Sequence, residues 1–295
     1  THDRVFSIGT WEGAPVTVSI FGLTIRDGRA SDGGGIKVNN GNTLYMEECV
    51  IGPNNIVTYA GGGIVNYGGD VTLNRCTVTE NEGTGSLGGA GVTTANKGTT
   101  TLINSTVSGN ITNNFGGGVY VYDSQVRLIH TTVSGNISNE NYLDPGEARG
   151  GGAGIYMDYL GQVELQNSIV AGNNDMTDPA TAGHAKWPDV YGVVTSLGGN
   201  LIGDPTGSAG WLSSDLVGTA EEPVDPLLGT LLKNDPGDTL TMALLSGSPA
   251  IDAVACVGSV TTDQRGVLRP NGLLCDVGSF EKGNNYIIFM PIIFK

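Results

Sequence analysis

Apolar and polar residues alternate in short runs along most of this chain. Val71 and Leu73, Val126 and Leu128, and Val163 and Leu165 make one set; after a brief break come Cys76 and Val78, Thr131 and Val133, and Ser168 and Val170. Period-two alternation over so few residues predicts β-strands with one buried face. A third run starts at a glycine cluster, as in Ile36 with Val38, Val119 with Val121 and Ile155 with Met157. No helical periodicity lies between these runs.

The pattern itself repeats. Glycine clusters start at Gly33, Gly61, Gly89, Gly116 and Gly152, which are 28, 28, 27 and 36 residues apart. A second landmark, ending in asparagine at residues 77–81, 106–110, 132–136 and 169–173, keeps step with the first. The long fourth interval carries a polar Pro-Gly insertion around residues 139–149, expected to protrude as a loop. Three short strands per repeat, with no helix between them, cannot form βαβ units. They predict an all-β, right-handed parallel β-helix, a solenoid with coils of about 27 residues that stack about 4.8 Å apart. The expected division is a β-helix over residues 1–205, irregular C-terminal coils or a cover of the same domain over 206–283, and an apolar tail strand over 284–295. Equivalent residues of successive coils would form ladders. Asn54, Asn81, Asn110, Asn136 and Asn173 are expected to stack their amides at one corner, and the glycines to permit positive φ and close backbone approach at another.

Composition narrows the partners. Hydrophobic residues make up 39% of the chain and its 48 glycines have no three-residue period, which argues against both disorder and collagen. Fourteen Lys and Arg against 29 Asp and Glu give a net charge of -15, which repels nucleic acid and anionic membrane surfaces. No apolar run reaches the roughly 20 residues of a membrane span.

No catalytic constellation emerges. Asp70, Asp123 and Asp158 do not share a ladder position, and Arg75, Arg127 and Arg149 are scattered among coils. His2, His130 and His184 lie far apart; His130 occupies the ladder position of Arg75 and Asn104, which predicts a surface side chain. Residues 173–178 form the best local oxygen cluster, without the spacing or glycine of a calcium loop, so calcium is the one cofactor left open. Cys49 and Cys76 should face inward one coil apart, where parallel Cβ vectors disfavour a disulfide and predict two buried thiols.

The GGGI-type corner followed by a V-S-G-N turn is similar to the GGA(I/V) and x-x-N repeats of polymorphic outer-membrane proteins. Residues 247–253 (GSPAIDA), 263–266 (DQRG) and 275–281 (CDVGSFE) resemble the closing signature of choice-of-anchor Q domain proteins. The resemblance spans about residues 16 to 281 and implies a secreted or surface-attached bacterial β-helix, of a family defined by architecture more than by a shared reaction. In that setting Cys256 and Cys275 are expected to form a disulfide, and Asp263 with Arg265 a structural ion pair or turn. The ending looks like the short apolar tails of extracellular proteins from Chloroflexota-type bacteria.

That tail, Tyr286, Ile287, Ile288, Phe289, Met290, Pro291, Ile292, Ile293 and Phe294, must be buried somewhere. It can close its own β-helix, with Pro291 at an edge, or add as a strand to the next molecule and cover an uncapped first coil. The second arrangement propagates into a filament. The sequence therefore points to a non-enzymatic, extracellular structural or adhesive protein that forms a homopolymer by strand addition. The alternative is a carbohydrate-active or carbohydrate-binding β-helix, a lyase or glycoside hydrolase among them, that meets a surface polysaccharide along one lateral face and the 139–149 loop.

Overall fold

The computed structural model describes residues 3–10, 12–85, 88–139, 151–177 and 186–283. Successive coils stack into four parallel sheets of eight, seven, eight and six strands. Sheet I contains Phe6–Ile8, Ile36–Val38, Ile64–Tyr67, Val92–Ala95, Val119–Tyr122, Ile155–Asp158, Val190–Val193 and Ser208–Ala209. Sheet II runs from Thr17–Phe21 to Thr195–Ser196, and sheet III from Thr24–Ile25 to Leu216–Val217. Sheet IV, a fourth strand per coil that the alternation does not reveal, runs from Arg29–Asp32 to Asn174–Asp175; most of its strands have only two residues.

Inward positions fall into columns because the strands of sheets I, II and III pair in register with their counterparts one coil away. Leu44, Val71, Thr100, Val126 and Val163 form one such column, and Met46, Leu73, Leu102, Leu128 and Leu165 the next. These side chains are essentially inaccessible and fill the lumen with one continuous apolar core. At the corner between sheets II and III the core gives way to short acceptors. The Cys49 amide donates to Cys76 Sγ (3.4 Å), the Cys76 amide to Ser105 Oγ (3.1 Å) and the Thr131 amide to Ser168 Oγ (3.1 Å). Cys49 and Cys76 are thus buried free thiols, with the Cys76 sulfur in a hydroxyl's place.

The corner between sheets III and IV carries the asparagine ladder. Asn136 Oδ1 accepts from the Asn110 amide and Nδ2 (3.2 and 2.9 Å), while Asn136 Nδ2 donates to Val107 O and Asn173 Oδ1 (both 2.9 Å). Asn81 and Asn110 repeat this arrangement. The ladder position in the second coil belongs to Asn55, not to Asn54 as the sequence suggests. Asn55 Nδ2 donates to Asn81 Oδ1 (2.9 Å), whereas Asn54 is exposed, adopts φ 61° and reaches Asp27. Gly52-Pro53 adds one residue to that corner and displaces the register by one. Asp189 closes the far end, accepting from the Asn173 amide and Nδ2 on Oδ1 and from the Asp204 amide on Oδ2. Burial pushes its carboxyl up to about 6 against these donors.

The glycines sit beside this ladder. A Cβ on Gly63 would meet Gly91 O at 2.7 Å and Asn81 Nδ2 at 2.9 Å; one on Gly118 would meet Gly154 O at 2.6 Å and Asn136 Nδ2 at 3.0 Å. Sheet IV is so short that the glycine and asparagine corners face each other across the lumen, and only a hydrogen side chain leaves room for the amides.

Because each amide both donates and accepts inside the core, Asn136→Ala strands buried groups on two neighbours and should destabilise the fold by about 3 kcal/mol. Asn54→Ala should cost only about 1 kcal/mol, from replacing a residue suited to φ 61° by one that is not. Urea unfolding of the two variants beside the parent checks the assignment.

Candidate functional site

Residues 224–283 cover sheet III. Its outward threonines Thr77, Thr106 and Thr132 are fully buried and read by two side chains of this cover. Gln264 donates from Nε2 to Thr77 Oγ1 and Leu240 O (both 3.0 Å) and accepts from Thr106 Oγ1 (2.7 Å), and Ser279 bonds Thr106 and Thr132. The cover holds its own shape through buried charge. Asp263 takes Arg265 (2.7 Å) and the amides of Arg265, Val267 and Glu281, forming both an ion pair and a turn. Arg269 and Glu281 pair at 2.7 Å with both side chains inaccessible, and Arg265 lies 3.5 Å over the Phe280 ring. Cys256 and Cys275 form a disulfide within it.

This cover corrects the placement of His130. The ladder position opens onto solvent in the early coils, but at His130 it lies beneath residues 269–278, and the ring is fully buried against Asn167 Nδ2 (3.1 Å). Burial, reinforced by the charge of Arg269, pushes its pKa down to about 3. The signature segments are therefore structural, and they leave sheet III with no open face along the threonine column.

The oxygen cluster at residues 173–177 is likewise engaged: Asp175 accepts from Thr177 N and Oγ1 on Oδ1 and from the Gly151 and Trp187 amides on Oδ2. Asp178 lies outside the described residues. Among the described residues no group of three His, Cys, Asp or Glu side chains is placed to hold a metal ion. The 139–149 loop, apart from Asn139, and residues 286–294 also lie outside the described residues.

The outer face of sheet I is not reached by the cover, and there a recess of about 490 Å³ is lined by Asp32, Lys37, Tyr59, Tyr67, Tyr120 and Tyr122 around Thr93 and Ala95. Its shape follows from the outward columns. Lys37, Val65, Thr93, Tyr120, Tyr156 and Tyr191 succeed one another coil by coil, and Tyr67, Ala95 and Tyr122 run beside them. Small residues in the middle coils followed by tyrosines lower the face by about the depth of a ring. Ala60, Val65, Tyr67 and Ala95 pack together as the floor, while Tyr59 and Tyr122 stand 44% and 37% exposed.

Beyond the recess the aromatic wall continues. Phe115, Tyr156, Tyr191 and Trp187 stack with centroids 4.5, 4.7 and 4.0 Å apart; Tyr156 and Tyr191 are neighbours in one strand column, and Phe115 and Trp187 join them from outside the strands, just before Gly116 and Pro188. At the near end Asp32 takes Lys37 Nζ at 2.9 Å and Arg4 at 3.1 Å. Burial would raise its carboxyl, but the Lys37 bond and the two cationic charges hold it below the usual carboxylate range. Burial and nearby Asp32 push the Tyr67 phenol up, and burial with Asp158 does so at Tyr120, whose hydroxyl donates to Asp158 (3.0 Å). Tyr67 and Tyr120 are thus neutral, and the tyrosine rings and hydroxyls of this arrangement can stack a flat ligand and bond its polar rim.

A family model described as a right-handed beta helix region matches residues 12–200. The chain belongs to that family. No curated protein and no solved structure matches it. The match fixes the hand of this right-handed β-helix and ends before the cover. Among the described residues no helix is long and apolar enough to cross a membrane.

The native state keeps His130 neutral, whereas the unfolded chain takes up a proton below pH 6.5. The stability that this group contributes is complete above pH 6.5 and is lost as pH falls, by up to about 1.4 kcal/mol per unit. Between pH 7 and pH 5 the parent should lose about 2 kcal/mol more than His130→Asn, measured by urea unfolding at both values. Asparagine suits the position, since Asn104 and Asn167 adopt φ 45° and 49° at the same corner, beside 47° for His130.

Proposed function

We propose that this is an extracellular, non-enzymatic β-helix that acts as a surface scaffold and binds polysaccharide along the outer face of sheet I. The observation that carries the reading is the tyrosine-lined recess on a face left open while the cover occupies sheet III. A pyranose ring has an apolar C–H face and a hydroxyl rim; tyrosine matches both, with a ring to stack and a phenol to bond. The Cys256–Cys275 disulfide supports an oxidising, extracellular setting. The non-enzymatic part is supported by how the ionisable groups are used: Asp32 is held by two cations and Asp158 by the Tyr120 hydroxyl.

Native affinity electrophoresis through gels containing a panel of neutral and acidic polysaccharides tests this reading. Retardation by at least one polysaccharide is expected, weakened about tenfold by Tyr122→Ala or Tyr59→Ala with no change in thermal stability, a loss of roughly 1.4 kcal/mol in binding. Unretarded migration through the whole panel would refute it.

A second reading, head-to-tail assembly through residues 286–294, is supported by the apolar run of that segment and by the pairing of the first coil. Among the described residues, Thr17–Phe21 and Thr24–Ile25 each pair on one side only. Electron microscopy of the full chain beside a version lacking residues 284–295 should show filaments that disappear on truncation; monodisperse particles in both samples would rule assembly out.

A further inference from the structure

The charges at the near end of the recess do not cancel. Among the described residues that line the recess, Asp32 is the carboxylate, and it is shared: Lys37 Nζ bonds Oδ2 and Arg4 Nη2 bonds Oδ1. Two cations against one anion leave an excess of one positive charge. Lys37 and Asp32 both line the recess, while Arg4 reaches Asp32 from outside the lining, so Arg4 offsets the carboxylate from behind and the Lys37 ammonium is the charge left facing the recess. The side chains are largely withdrawn from solvent, 15% exposed for Lys37 and 21% for Arg4, so the charge is less screened than on an open surface. Lys37 Nζ also lies 5.3 Å from the Tyr67 ring centroid, which fixes the ammonium above the aromatic floor. At the other end stand Tyr120 and, bonded to its hydroxyl, Asp158. The recess is therefore polarised, cationic at one end, aromatic in the middle and anionic beyond, in a chain of net charge -15.

Resting on the polysaccharide reading above, we infer that the recess selects acidic sugars, binding a hexuronate with its ring among Tyr67, Tyr59 and Tyr122 and its carboxylate against Lys37. Arg4 acts as a positioning residue: by occupying Asp32 Oδ1 it leaves the Lys37 ammonium incompletely neutralised for the ligand. Because the whole chain repels anions at long range, a preference for an acidic sugar over its neutral ester must come from this local excess and not from general attraction.

Isothermal titration of the full chain with tri-galacturonate and with its methyl ester tests the inference, alongside Lys37→Gln, Arg4→Gln and Tyr122→Ala. The acid should bind about tenfold or more tightly than the ester, and 0.5 M NaCl should narrow that ratio. Lys37→Gln should abolish the preference. Arg4→Gln, which does not touch the ligand, should also abolish it, because it leaves a neutral Asp32–Lys37 pair. Tyr122→Ala should weaken acid and ester alike. Equal binding of acid and ester, both lost in Tyr122→Ala, would overturn the selectivity and leave the polysaccharide reading standing. An acid preference that persists in both charge variants would overturn the assignment to Lys37 and Arg4. Failure of acid and ester to bind, with neutral polysaccharides still retarding the protein in gels, would overturn the acidic class alone; failure in both assays would overturn both readings.

Discussion

The interaction on which this fold depends is the amide of one asparagine bonding the amide of the next. A parallel β-helix turns sharply between strands, and each turn presents backbone N–H groups to a largely apolar lumen, where a side chain at the corner must accept them. A buried amide N–H left unpaired costs about as much as a lost hydrogen bond. Asparagine meets this need where the coil bends from sheet III to sheet IV: its Oδ1 takes the N–H of the coil before, and its Nδ2 passes a bond to the next oxygen and to a carbonyl. Once the amides occupy that corner, other choices follow. The facing corner must be glycine, because a Cβ would meet an amide nitrogen or a carbonyl of the next coil. The ladder must also end on a group that only accepts, and Asp189 is such a group.

The cover on sheet III obeys the same logic outside the lumen. A column of threonines on a solvated strand needs no partner, but a column under a lid needs one for every hydroxyl. Gln264 and Ser279 supply them, and both belong to segments whose remaining polar residues bond one another: Asp263 with Arg265, and Arg269 with Glu281. Each of these buried charges has its partner within the cover, and Asp276 accepts from the Asp252 and Lys282 amides; pairing and hydrogen bonding of this kind are the condition under which buried ions do not destabilise. The cover is a self-consistent polar unit that meets the β-helix through neutral hydrogen bonds and the apolar contacts of Ile169, Leu201, Leu244, Val277 and Phe280.

Legibility in the sequence followed periodicity. Sheets I, II and III could be read because their strands are long enough to alternate, and the core columns follow from aligning the repeats. Sheet IV escaped because strands such as Glu82–Gly83 and Ile111–Thr112 are too short to show a period. The ladder residue of the second coil was misplaced by one because Gly52-Pro53 inserts a residue that a count from Asn81 cannot see. His130 was misjudged for a different reason: its column is exposed in early coils and covered in later ones, and which coils a distant segment covers is tertiary information. The tyrosine recess does leave a signal in the sequence. The residue directly after each glycine landmark's apolar position reads Lys37, Val65, Thr93, Tyr120 and Tyr156, so the outward column and its break in size were present in the same alignment that revealed the core.

That column shows where function can reside in a repeating fold. A solenoid whose coils were identical on every face would offer a uniform surface, flat along its length, with no place for a ligand to be distinguished from its neighbour. Inward columns cannot vary much, since a change of size in one coil opens a cavity or strains the next. Outward columns are free of that constraint, so a step from valine and threonine to tyrosine creates relief without cost to the core. Here the step coincides with a second departure from the repeat, the pairing of one carboxylate with two cations in the first coils. Relief supplies the shape of the recess and unbalanced charge supplies its direction, and both arise where the repeat is broken on a face that the cover does not reach.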